Sequence, residues 1–203
     1  MYHNPKFEEK DSNKVLAFMQ AHAFITLIGY DGIYPVATQI PVQIYNVENG
    51  IRIVGHIMKK TDHHQAFTEN ENVLALFTGA HAYISAAVYE KPAVASTWNY
   101  SAVHAKGKIR LMDNDETRKV IEQLTNSYEA PNSPAAFHKM DDDYIESNLK
   151  AIVGFEILVQ EINNVFKLSQ NHPHANREKI AENLSQSNDI GAIEVAQQMK
   201  KML

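Results

Sequence analysis

The sequence predicts an antiparallel β-barrel carrying helices, an α+β fold, with a helical tail at its C-terminal end. Three observations predict it. Short strand-like stretches recur at regular spacing as far as Gly107, helical patterns up to that point are confined to the joints, and two amphipathic segments follow Asn176. The expected division is a barrel domain with inserted helices over residues 1–175 and a helical tail over 176–203.

Taken in order, Asp11 or Ser12 caps a helix whose apolar stripe is Val15, Leu16, Phe18 and Met19. Phe24 to Tyr30 reads as a strand, and Asp31-Gly32 is a tight-turn signal into a second strand, Tyr34 to Tyr45. Pro35 and Pro41 cannot donate ladder hydrogen bonds, so that strand is expected at an edge, or bulged at those points. Asn46 to Gly50 turns into Ile51 to His56, Asp62 to Asn70 is a short helix, and Val73 to Thr78 returns as a strand. Alternation continues through Tyr83 and Ser85 beyond a bend at Gly79. A loop with Pro92 leads to a strand from Thr97 to Gly107 that carries the only tryptophan.

After Arg110 the character changes. Asp115 is expected to cap a helix reaching Tyr128 with Val120, Ile121 and Leu124 buried, and Asp141 to Lys150 forms another. Ile152 to Ile162 is a strand with Ile152, Phe155 or Ile157, and Val159 inward, and Val165 to Leu168 a further short one. The tail segments are Arg177 to Leu184 and Ile190 to Leu203.

Composition narrows the function classes. There are 24 acidic and 19 basic residues, a net charge of −5, which argues against non-specific nucleic-acid binding. No cysteine is present, so disulfides, thiol catalysis and Cys-based metal sites are excluded. The polar start MYHNPKFEEKD shows no signal-peptide core, and the apolar run from Ala21 to Gly29 is too short to span a bilayer. A cytoplasmic protein is the expectation.

The chemistry-bearing stretches are few. Gly55-His56-Ile57-Met58-Lys59-Lys60-Thr61 places a glycine, two cations and a hydroxyl before a helix N-terminus, a phosphate seat or else a solvated lysine pair. His63 and His64 point about 100° apart on a helix and do not share a metal, and no metal site is expected. Ser85, Ser96 and Ser101 lie near aromatics with no evident His–carboxylate pair, so catalytic residues are not assigned. Lys167-Leu168-Ser169-Gln170-Asn171 ends the late strand with a dense run of donors, suited to a ligand's edge or to a hydrogen-bonded turn.

GAHAYIS, TWNYSAVHAKG, LKAIVGFEI and KLSQN, in that order, resemble the PaiB family of FMN-binding transcriptional regulators, and the likeness covers nearly the whole chain. The resemblance implies a split β-barrel of the pyridoxamine-phosphate-oxidase type that binds FMN at the interface of a homodimer. It also implies the label of negative transcriptional regulator, linked to protease production and sporulation in the best-known bacterial member. By position it sets Ala37-Thr38 against the flavin, Gly55-His56 in the phosphate segment and Lys59 as its basic residue. Thr61-Asp62-His63-His64 replaces the family's Asn-Pro-Gln-Trp, with Lys60 able to compensate, and His172 stands where the family has Arg.

The resulting site places the FMN phosphate near Lys59, Lys60 and Thr61, and the ring near Thr38 and the Trp98 loop. Lys167 or Gln170 then reaches in from the late strand. Two alternatives stand beside it: a regulator or interaction protein acting without flavin, and a heme-binding split barrel with His56, His81 or His104 as axial ligand. DNA binding rests on the resemblance alone. In the tail Arg177, Lys179, Lys200 and Lys201 are offset by Glu178, Glu182, Asp189 and Glu194, whereas a recognition helix carries a basic surplus.

Overall fold

The computed structural model describes residues 1–91 and 94–203, so the expected loop around Pro92 lies, at Pro92 and Ala93, outside the described residues. Strand β1 (Phe24–Tyr30) buries Ile25 and Leu27 and exposes Phe24 and Tyr30, the period of two that puts one face on a core. β2 (Pro35–Val47) keeps that period; β3 (Gly50–Met58) buries Ile53, Val54 and Gly55 in a row; β4 (Asn72–Ile84) changes phase along its length; β5 (Thr97–Leu111) alternates again; and β6 (Ile152–Lys167) buries Val153, Gly154 and Phe155 in a row. The six close into a barrel in the order β1-β2-β3-β6-β5-β4, as the sequence predicts. Helices α1 (Ser12–Ala21), α2 (Asp62–Glu69), α3 (Asn114–Tyr128), α4 (Asp142–Leu149), α5 (His174–Ser185) and α6 (Ile190–Lys200) occupy the joints and the tail.

The prolines of β2 are accommodated by a change of partner. Pro35 to Pro41 pair with β1 and Val42 to Val47 with β3, so Pro41 stands where the strand passes from one ladder to the other. Three expectations need correcting. Strand β4 runs on through Gly79 with no bend and ends at Ile84, so Tyr83 is exposed and Ser85 lies outside it. The cap of α3 is Asp113, not Asp115: its side chain accepts from the Glu116 N–H at 2.8 Å, and the Glu116 carboxylate returns to the Asp113 N–H, a capping box. The late strands are one, because β6 continues unbroken to Lys167, and its buried face is Val153, Phe155 and Ile157, with Ile152 only half-buried.

The chain forms two compact units, Leu16–Phe77 with His104–Ile162, and Met1–Val15 with Thr78–Val103 and Asn163–Leu203. In the first, the barrel unit, β3 pairs with β6 from Arg52↔Leu158 to Met58↔Ile152. Gly107 is required there, since a Cβ would stand 2.3 Å from the Leu158 carbonyl oxygen. Helix α2 packs on β1 and β2, and α3 on β3. Phe137, Ile145 and Leu149 make a small satellite core with Ile121 and Met140.

The second unit has its own core. Ile180, Ala181 and Leu184 of α5 and Ala192, Val195, Ala196 and Met199 of α6 pack with Ala82, Ile84, Tyr89 and Leu168. These residues of the tail are therefore spent on packing, while Ile190 at the start of α6 stays exposed. Strand β4 runs from one unit into the other, and its alternation slips by one residue on the way. Val73, Ala75 and Phe77 are buried, then Ala82 and Ile84, leaving His81 and Tyr83 exposed.

Candidate functional site

The segment from β3 into α2, where the sequence leads one to expect a phosphate seat, lies within the barrel unit. Lys60 adopts a left-handed conformation (φ 63°), which turns the chain out of β3, and Thr61 caps α2 by accepting from the His64 N–H at 3.3 Å. The Thr61 hydroxyl lies 3.0 Å from both the Met58 carbonyl and His63 Nε2, so its single proton serves one of them at a time. The other ring nitrogen of His63 is 3.1 Å from the Asp62 carboxylate, which also accepts from the His63 N–H at 2.7 Å. Burial, Lys59 and His63 lower the His64 pKa.

The two lysines differ. Lys59 donates to the Leu149 carbonyl at 2.9 Å and so satisfies the C-terminal end of α4, where a cation also complements the helix dipole. Lys60 is exposed, with no hydrogen bond or ion pair among the described residues, and lines an open depression of about 440 Å³ with Thr61, Asp62 and His64. His56 is half-buried on β3, and its Nδ1 is buried without a hydrogen-bond partner among the described residues. Burial lowers its pKa, so the ring is neutral at pH 7. Thr38 is half-buried on β2 opposite Leu27, on the same side of the strand as Val36 and Ile40.

The remaining expected residues belong to the second unit. Trp98 is exposed on β5, 5.8 Å from the His81 ring and 5.7 Å from that of Tyr83. Lys167 donates to the Thr97 hydroxyl, and burial lowers its pKa. Gln170 uses both ends of its amide on its own turn: Oε1 accepts from the Leu168 N–H at 2.7 Å and Nε2 donates to the Phe166 carbonyl. The structure thus brings His56, Lys59, Lys60 and Thr61 onto one strand–turn–helix and sets Trp98, Lys167 and Gln170 in the other unit.

Sequence reading missed what makes TWNY and KLSQN specific. Asn99 is fully buried; its Nδ2 donates to Ser169 Oγ at 2.9 Å, and Ser101 donates to Gln198 at 3.1 Å. The one available signal was a polar residue at every buried position of TWNYS, where a core strand carries apolar ones.

Residues 1–161 match the family model described as "Putative FMN-binding domain". A "Protease synthase and sporulation protein PAI 2" of Bacillus subtilis (strain 168) is 31% identical over 204 residues, 100% of this chain and 98% of the relative. The chain belongs to the PaiB family of FMN-binding domains. Among solved structures, an FAD- and heme-binding protein of Mycobacterium smegmatis superposes with TM-score 0.60 at 14% identity, over 79% of this chain and 73% of that one. A flavocytochrome of Azotobacter vinelandii does so with TM-score 0.59 at 14% identity, over 79% and 69%. At that identity the likeness speaks for the fold, a split barrel.

For a PaiB-family chain the cofactor is FMN, and the residues at the start of α2 fit its phosphate. Lys60 supplies an uncommitted cation, Thr61 a hydroxyl, and the first turn of α2 the favourable end of a helix dipole. Asp62 already occupies the His63 N–H. Among the described residues no helix is long and apolar enough to cross a membrane.

Proposed function

We propose that this protein is an FMN-bearing regulator in which Lys60 and Thr61 hold the cofactor phosphate and Lys59 serves the fold. The observation that carries the reading is the contrast between the two lysines, one committed to the Leu149 carbonyl and the other uncommitted beside the α2 N-terminus. His56, neutral and with Nδ1 unpartnered, offers the same segment a further donor or acceptor. Bound flavin supplies electron or hydride transfer; the chain supplies charge and orientation.

The test is a pair of titrations with FMN and riboflavin, which differ by the phosphate. Lys60→Ala is expected to weaken FMN roughly tenfold to a hundredfold and leave riboflavin unchanged, the loss of one charge-assisted contact of ~1.5–3 kcal/mol. Lys59→Ala is expected to lower the unfolding temperature while preserving the preference for FMN. Equal loss of both ligands in Lys60→Ala would remove the phosphate role.

Regulation through direct DNA reading has less support. The faces of α5 and α6 that pack the core are spent, and the four cations of the tail are matched by four carboxylates. The family name of regulator is better served by a flavin or partner signal. A homodimer belongs to the same proposal, supported in the barrel unit by the exposed side chains of Phe24 and Leu158. Light scattering at micromolar concentration is expected to give twice 22.9 kDa, and a stable monomer would count against it. Heme, named for two of the structural neighbours, is separated from flavin by the visible spectrum of the purified protein.

A further inference from the structure

The second unit contains a pocket of about 520 Å³ that the phosphate seat does not use, lined by Tyr2, Phe7, Tyr89, Thr97, Lys167 and His172 among others. Its charge is one-sided. Lys167 and His172 are half-buried, Lys6 lies at the lining, and among the described residues no Asp or Glu borders the space. The described partner of the Lys167 ammonium is the neutral hydroxyl of Thr97, which leaves its charge uncompensated and donors to spare. A partly desolvated cation without a counter-ion is costly, and an anion in the pocket would offset that cost.

The walls are aromatic. Tyr2 stacks on Phe7 with centroids 6.2 Å apart and planes 26° apart, and Tyr89 lies 4.7 Å from the His172 ring at 32°. Tyr89 supplies the second, independent sign of a ligand. The residue is only 6% exposed, and its hydroxyl is buried with no hydrogen-bond partner among the described residues. A buried hydroxyl is ordinarily paired, so this one awaits a polar atom from something that enters. Burial, and after it the charge on Lys167, also lower the His172 pKa, which leaves that ring mostly neutral and free to stack.

We propose that this pocket binds a small aromatic acid, a carboxylate or phosphate on a planar ring, separate from the flavin. The head group pairs with Lys167 and accepts from Tyr89, and the ring lies between the Tyr2–Phe7 and Tyr89–His172 pairs. The inference stands on the second unit alone and does not rest on the phosphate seat at α2.

Benzoate and phenyl phosphate are the probes, titrated by calorimetry into the full-length protein with and without saturating FMN. Wild type is expected to bind at least one of them in both states. Lys167→Met is expected to weaken the bound probe roughly tenfold or more, as the loss of a charged hydrogen bond demands. Tyr89→Phe removes only a hydroxyl that has no partner among the described residues, so its unfolding temperature is expected to stay level while probe affinity falls roughly threefold to tenfold. FMN affinity is expected to hold in Tyr89→Phe. Failure of both probes to bind wild type, or equal binding by all three proteins, overturns the proposal. If Lys167→Met loses FMN and keeps riboflavin, the pocket takes the cofactor's own phosphate and the separate acid is refuted.

Discussion

The two units bury different chemistry. Among the described residues the barrel unit fully buries one polar side chain, Thr117, whose hydroxyl donates to the Asp113 carbonyl and accepts from the Gly154 N–H. The second unit buries four: Asn99, Ser101, Ser169 and Asn176. The barrel is held by apolar alternation and backbone ladders, which tolerate volume-conserving change. The second unit is held in addition by a polar network that is satisfied only when distant segments are in register. Ser169 of that network also lines the pocket beside Lys167.

The sharpest break of this comparison is made in the barrel. Gly107→Val puts a Cβ 2.3 Å from the Leu158 carbonyl oxygen, a backbone atom that cannot move without β6. We expect a loss of more than about 3 kcal/mol, read as a fall in the urea midpoint or as failure to fold. Near-wild-type stability would mean that β5 and β6 are not so closely apposed.

The next effect is the network's. Asn99→Ala removes a reciprocal pair, since Ser169 also donates to Asn99 Oδ1 at 3.2 Å, and is expected to cost ~1–3 kcal/mol. Adding Ser169→Ala is expected to cost less than the separate sum, because the stranded hydroxyl goes with it. Additive losses in denaturant titrations would show that the two side chains act independently.

The smallest effect spans both units and appears with pH. Burial lowers the pKa of His56 in one and of His172 in the other from the ordinary 6.5. Below 6.5 the unfolded chain takes up protons that the folded one refuses. Stability is therefore full above that value and declines as pH falls towards the lowered folded values. The slope is at most ~1.4 kcal/mol per pH unit for each ring. His56→Gln is expected to flatten the decline in thermal melts between pH 7 and 5, and an unchanged profile would remove His56 from it.

Much of the barrel was legible because its signals are local. Alternation named β1, β3 and the course of β5, and Asp-Gly and Asn-Gly turns set their ends. The start of α2 was legible too, since a cap, two lysines and a glycine fall within seven residues. What escaped was long-range. Asn99 bonds a residue 70 positions away and contacts the Met199 sulfur 100 positions away, and no window of sequence contains both partners. Lys59 reads like Lys60 until the Leu149 carbonyl, 90 residues on, claims it. Asp113 and Asp115 both precede the same apolar stripe, and only the reciprocal bond with Glu116 singles out Asp113 as the cap.

The slip in β4 has a consequence of a different kind. Had the strand kept the phase of Val73, Ala75 and Phe77, His81 and Tyr83 would face inward and Ala82 and Ile84 outward. The shift falls where the chain leaves one unit for the other, so one strand serves two cores with opposite parity. Which aromatics meet solvent beside Trp98 is therefore set by counting, not by side-chain chemistry. In this stretch a point substitution is a small perturbation, and the loss or gain of one residue re-addresses everything from Thr78 to Ile84.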